Sequence, residues 1–132
     1  MSKPVSDLEG MLAGMEPQLH ERPYRFVQHG PENDFIDLIG TMFAFIREEE
    51  GATLVIRAKE DHPAPHFAGI TLQVHSDLEG VGLTAAVANG LAKAGIACNV
   101  IAAFHHDHLF VPWDRREEAM TILKQLSQDA RR

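Results

Sequence analysis

The run Ser76-Asp77-Leu78-Glu79-Gly80-Val81-Gly82-Leu83-Thr84 brings together the residue types that hold a charged small molecule. It follows an alternating segment and precedes a helical one, so it carries the chain from a strand end to a helix N-terminus. The first backbone N–H groups of a helix have no partner inside the helix, and the dipole there is positive, which suits a carboxylate. Gly80 and Gly82 keep side chains out of the way of a ligand, and Asp77 or Glu79 can meet an ammonium group. The complementary charges of a free amino acid fit this description. A plainer reading also stands: Ser76 and Glu79 form only a capping box, and the glycines only permit the turn.

Other groups with chemical potential lead less far. Gly80-Val81-Gly82-Leu83-Thr84-Ala85 satisfies the G-x-G-x-x-A spacing of dinucleotide folds. No acidic residue follows about 20 positions on to hold a ribose, and the chain is short for a doubly wound sheet. His105, His106 and His108 with Asp107 offer imidazoles and a carboxylate that could take zinc or nickel, and His75 could join them if its strand ends nearby. No third ligand is set by spacing, and a hairpin turn collects polar residues anyway, so no metal is expected. Ser76 lacks a nucleophile elbow, Cys98 lies among Ile96, Ala97, Val100 and Ile101, and no carboxylate pair is placed to divide acid and base roles. No catalytic residue and no cofactor is assigned.

The elements that must position these groups follow from periodicity. Leu8, Met11, Leu12 and Met15 have helical spacing, with Ser6 and Glu9 as a capping pair. A brief strand is expected at Tyr24 to Val27, while Asn33 to Gly40 fits one helical turn or two. Met42 to Ile46 and Ala52 to Ala58 flank an acidic turn ending at Gly51 and read as a hairpin. Glu60 to His66, with Pro63 and Pro65, is a linker.

Beyond it, Ile70, Leu72 and Val74 alternate with Thr71, Gln73 and His75, the pattern of a half-buried strand. Leu83, Val87, Leu91 and Ala94 form a helical stripe, and Ala85, Ala86, Gly90 and Ala92 allow close packing on a sheet. Gly95 ends that helix. A second hairpin spans Ala97 to Val111, and a last helix, capped by Asp114 and Glu117, carries Ala119, Ile122, Leu123 and Leu126. The two halves share one layout, strand, hairpin with a charged turn, then a charged helix start, as a diverged duplication would. The expected division is 1–66 and 67–132.

With 19 acidic and 12 basic residues the chain carries a net charge of -7 and no basic cluster beyond Arg115-Arg116 and Arg131-Arg132. Nucleic acid, which needs a concentrated positive surface, is not an expected partner. One cysteine excludes a disulfide within the chain. No apolar run is long enough for a membrane span and the opening residues lack a signal-peptide pattern, so no membrane partner and a cytoplasmic location are expected.

The segment from Ile70 to Met120, with its SDLEGVGLT loop, its helix ending Ala94-Gly95-Ile96, its Asn99-Val100 strand and its His-Asp-His turn, resembles ACT-domain proteins, in particular a bacterial group of short, uncharacterised proteins with two ACT-like units. Residues 67–126 carry the close resemblance, and the first half matches by layout. The resemblance implies an α/β (α+β), ferredoxin-like fold: two βαββ(α) units, the first abbreviated, with helices on one face of a largely antiparallel sheet. It implies a non-catalytic regulatory or sensor module that binds an amino acid or similar small molecule at an interface between ACT units, with Asn99 joining residues 76–84 in the expected site. Two abbreviated units would leave sheet edges to be paired or covered, so a homo-oligomer is expected. The alternatives are an assembly module without ligand and a metal-binding protein using His105 to His108.

Overall fold

Residues 3–29, 40–63 and 65–132 are described by the computed structural model. They form, in order, α1 (Leu8–Ala13), β1 (Pro17–His29), β2 (Met42–Glu48), β3 (Gly51–Arg57), β4 (Phe67–Leu72), α2 (Leu83–Lys93), β5 (Asn99–Ala102), β6 (Asp107–Pro112), a 3-10 turn (Trp113–Arg115) and α3 (Arg116–Ala130). Apart from Gly40, the segment Asn33 to Gly40 lies outside the described residues.

Packing divides the chain into Met1–His20 with Ala68–Arg132, and Glu21–Phe67. The expected boundary at 66/67 follows the repeat in the sequence, whereas packing joins α1 and the start of β1 to the second half. In the larger unit β4, β6 and β5 lie in that order, with the opening of β1 beside β4. In the smaller unit the order is β1, β3, β2. Each half therefore places the second strand of its hairpin next to its first strand, as the recurring layout requires.

The larger unit is layered because its apolar residues are sorted by period. Ala68, Ile70 and Leu72 on β4 and Leu109 and Val111 on β6 meet Leu83, Val87 and Leu91 of α2, Ala119 and Leu123 of α3, and Met11 of α1. Burying each large aliphatic side chain contributes about 1.5–3 kcal/mol, so this shared core holds the helices to the sheet. Gly90 faces α3 rather than the sheet: a Cβ there would lie 3.1 Å from Leu126 Cδ1. The small residue serves helix–helix contact. Gly95 has a φ of 73°, the left-handed conformation that ends α2.

Several local expectations are corrected. α1 is capped by Asp7, whose carboxylate accepts from the Gly10 N–H at 2.8 Å. The helix begins at Leu8, so Asp7 rather than Ser6 stands one residue before it. β1 runs for 13 residues instead of four. Pro17 occupies its first position, where a missing N–H costs little, and Pro23 still accepts from the Ala58 N–H at 2.8 Å. α3 starts behind a 3-10 turn with no side-chain cap. Arg115 there donates to Glu118 Oε1 at 2.7 Å and to Ala94 O at 3.0 Å, tying the end of α2 to α3. β4 is buried on both faces rather than one, since Thr71 is as enclosed as its apolar neighbours.

In the Glu21–Phe67 unit β1 pairs antiparallel with β3 from Tyr24 opposite Arg57 to His29 opposite Ala52. β2 pairs with β3 across an irregularity between Met42 and Ala44. Tyr24 packs edge-on to Phe43, and Phe26 to Phe67, with ring centroids 5.4 and 5.3 Å apart. Phe26, Phe45 and Ile46 keep exposed apolar surface.

Candidate ligand cleft

The end of β4 leads into residues 73–82, and this segment is held by the N-terminus of the chain. Val5 N–H donates to His75 O at 2.7 Å, and Asp77 N–H donates to Val5 O at 2.8 Å. Asp77 then organises the turn it begins: its Oδ1 accepts from Glu79 N–H at 2.9 Å, and its carbonyl accepts from Gly80 N–H at 2.8 Å. Gly82 is the residue before α2 and has a φ of 107°. The capping-box reading of Ser76 and Glu79 is thereby excluded, because α2 begins at Leu83, well beyond their reach.

A cleft of ≈ 150 Å³ opens where this loop meets the turn end of the β5–β6 hairpin. Ser76, Asp77, Leu78, Gly80, Gly82, Leu83 and Thr84 all line it. Glu79 and Val81 do not, and Val81 is 83% exposed. Asn99 also stands apart, on β5, with its amide 3.5 Å from Phe110 O. Three lining residues were missed: Met11 from α1, Ala102 from β5 and Asp107 from β6. Ala102 and Asp107 are register partners at the mouth of the hairpin. Only the proximity of that turn to the glycine loop could have pointed to them, and proximity is a tertiary fact.

Ser76 Oγ donates to Asp107 Oδ2 at 3.2 Å, which ties down a carboxylate in the cleft lining. The cleft thus combines Asp77 and Asp107 with the first turn of α2, whose N–H groups lack intrahelical partners. The two glycines do not simply leave space for a ligand. A Cβ at Gly80 would lie 3.1 Å from Met11 Sδ, and one at Gly82 would lie 3.2 Å from Leu8 Cδ2. A side chain at 82 would also be strained by the positive φ, so substitution there tests the fold before it tests a ligand.

On the other face of β4, Thr71 Oγ1 lies 2.6 Å from His20 Nε2 and 2.9 Å from His108 Nδ1. Burial holds both imidazoles below their ordinary pKa of 6.5. His108 is lowered further by His20 and His106, with Asp107 acting in the opposite sense. The histidines around the β5–β6 turn cluster loosely. His75 does reach the turn, its ring centroid 5.3 Å from that of His105, while His106 and His108 are 6.5 Å apart and nearly perpendicular. Among the described residues no group of three or more His, Cys, Asp or Glu side chains is arranged to hold a metal ion. Cys98 is half-buried, and burial raises its thiol pKa, which disfavours the thiolate a nucleophile needs.

With this geometry in hand, comparison with known proteins gives a consistent result. ACT-domain family models match residues 3–63 and 68–125. Among solved structures, the Vibrio cholerae protein VC0802, described as of unknown function and a possible transport protein, is 42% identical. The match has a TM-score of 0.75 and covers 88% of this chain and 92% of that one. Atu0741 from Agobacterium tumefaciens, 20% identical with a TM-score of 0.65 over 80% of this chain and 84% of that one, shares the fold. So does E. coli aspartokinase III, solved with aspartate and ADP, at 11% identity and a TM-score of 0.63, over 86% of this chain and 34% of that one. No curated protein matches the sequence.

Proposed function

Because the chain belongs to the ACT-domain family and carries two ACT-like units in tandem, we propose that it is a non-catalytic sensor that binds a free amino acid in the cleft between the 76–84 loop and Asp107. ACT domains are generally regulatory modules for small ligands, often amino acids, and this chain has their α+β ferredoxin-like fold. The observation that carries the finer reading is the meeting of opposite polarities in one cleft: Asp107, oriented by Ser76, faces the N-terminal turn of α2. The ammonium group is assigned to Asp107 with Asp77, and the carboxylate to the N–H groups that open α2. Aspartokinase III, solved with aspartate, lends the idea general support only through its fold.

The test is a thermal-shift panel of the twenty amino acids. A ligand at a hundred times its dissociation constant stabilises by ~2.7 kcal/mol, which for a chain of this size raises the midpoint by roughly 8 to 15 °C. No shift with any of them at millimolar concentration would sink the proposal.

Self-association is part of the same reading. β5 and β2 end the strand orders of their units, and Phe26 and Ile46, which share the face of Val55 and Thr53 on β3, leave apolar surface that a second copy would cover. This surface also favours the assembly reading if no ligand is found. Light scattering at tens of micromolar, an ordinary working range for association, should give at least a dimer, and a monomer would remove this element. We place the protein in the cytoplasm. No helix among the described residues is long and apolar enough to cross a membrane.

A further inference from the structure

The cleft has a wall that does not come from the strand–loop–helix segment at all. Val5 is inserted between His75 and Asp77 as a short parallel bridge to Ser76, so the N-terminal segment is fixed to the same backbone that forms the cleft. α1 follows directly and is anchored at its far end, where Ser127 Oγ and Arg131 Nε donate to Ala13 O at 3.1 and 2.9 Å. Held at both ends, α1 lays Leu8 over Gly82 and Met11 over Gly80. Met11 is 1% exposed yet lines the cleft, so its thioether marks the inner limit of the space.

We propose that the N-terminal segment, through Met11, is the size filter of the cleft and restricts it to small amino acids of the glycine, alanine and serine class. The proposal rests on the amino-acid reading above. An enclosed apolar cavity of about 150 Å³ accommodates benzene, a molecule of about six heavy atoms, and the cleft here has a volume of ≈ 150 Å³. With the charged groups of the ligand drawn to Asp107 and to the start of α2, a side chain directed inward ends against Met11, while Ala102 stands at the exposed rim. Alanine and serine need little of that depth. Leucine and phenylalanine require Met11 to move, and Met11 is packed in the core among Ile70, Leu72 and Leu83.

Two variants test this from opposite sides. Met11→Ala deepens the cleft. Ala102→Val narrows it at an exposed strand position, where a β-branched residue is well tolerated, so that variant stays folded even if the first loses stability. Calorimetric titration with glycine, alanine, serine, leucine and phenylalanine is the readout. A hydrophobic pocket discriminates one methylene by about 10- to 200-fold. The wild-type chain should therefore prefer alanine to leucine by about 10-fold or more. Met11→Ala should shrink or invert that ratio, and Ala102→Val should weaken alanine and serine relative to glycine. Equal affinity for alanine and leucine in the wild type, or a ratio that neither variant changes, overturns the filter while leaving amino-acid binding intact. Absence of binding by any of the five to any of the three chains overturns the filter, and the panel of twenty then decides whether amino-acid binding falls with it.

Discussion

In the β2–β3 hairpin the turn end is acidic and solvated: Glu48 accepts from Thr53 Oγ1, and Glu49 and Glu50 reach into water. In the β5–β6 hairpin the same end of the same element carries Ala102 opposite Asp107 on the wall of the cleft, with Asp107 bonded to Ser76. Strand order and hairpin placement recur in the two halves, but the surroundings of the turn do not. The difference lies in what the turn meets. β5–β6 meets a loop built on two glycines, a helix N-terminus and a strap from α1, so the turn end of the repeated hairpin borders a cleft in the second half and solvent in the first.

The largest contrast between the two hairpins is in burial. Leu109 on β6 is fully enclosed between sheet and helices, whereas Ile46 on β2 is 42% exposed. Leu109→Ala should cost about 2–5 kcal/mol, and Ile46→Thr should stay within about 0.5 kcal/mol, as measured by urea unfolding at protein concentrations low enough to keep the chain monomeric. Similar costs at the two sites would mean that β2 is as enclosed in solution as β6, and the contrast would fail.

Next in size is the chemical difference itself. Asp107→Asn keeps an acceptor for Ser76 and removes only the charge. It should abolish most of the ligand-induced rise of roughly 8 to 15 °C while leaving the unliganded midpoint nearly unchanged. Glu48→Gln on the other hairpin should leave the ligand response intact. If the two substitutions act alike, Asp107 has no special role.

A smaller effect concerns the histidines on the other face of β4. His20 and His108 have folded pKa values below 6.5, chiefly from burial. Their contribution to stability is therefore complete above 6.5 and is lost as pH falls from there through the folded values, because the unfolded chain takes up protons first. Unfolding free energies followed downward from neutral pH should decline, and His20→Gln with His108→Gln should flatten that decline. An unchanged slope in the double variant would place the titrating groups elsewhere.

Both hairpins, the stripe Leu83, Val87 and Leu91, and the break at Gly95 were legible because each is a local pattern of period or backbone freedom. β1 was not, since Pro17 and Pro23 look like strand breakers until the pairing that tolerates them is seen. Nor was the burial of Thr71, which depends on His20 and His108 arriving from other strands. A cleft opens at the glycine loop, but its glycines were credited to a ligand when Leu8 and Met11 lie against them. Asp107 was visible only as one member of a polar turn. Its bond to Ser76, 31 residues away in sequence, belongs to the tertiary structure.

The central claim, that one cleft in the second half takes up a free amino acid, is tested most directly by following backbone amide resonances while an amino acid that raises the midpoint is added. Shifts should concentrate in residues 76–84 and 102–107 together with Met11, with little change across the β2–β3 hairpin. Saturable shifts centred on β2 and β3, or none at all at millimolar ligand, would contradict it.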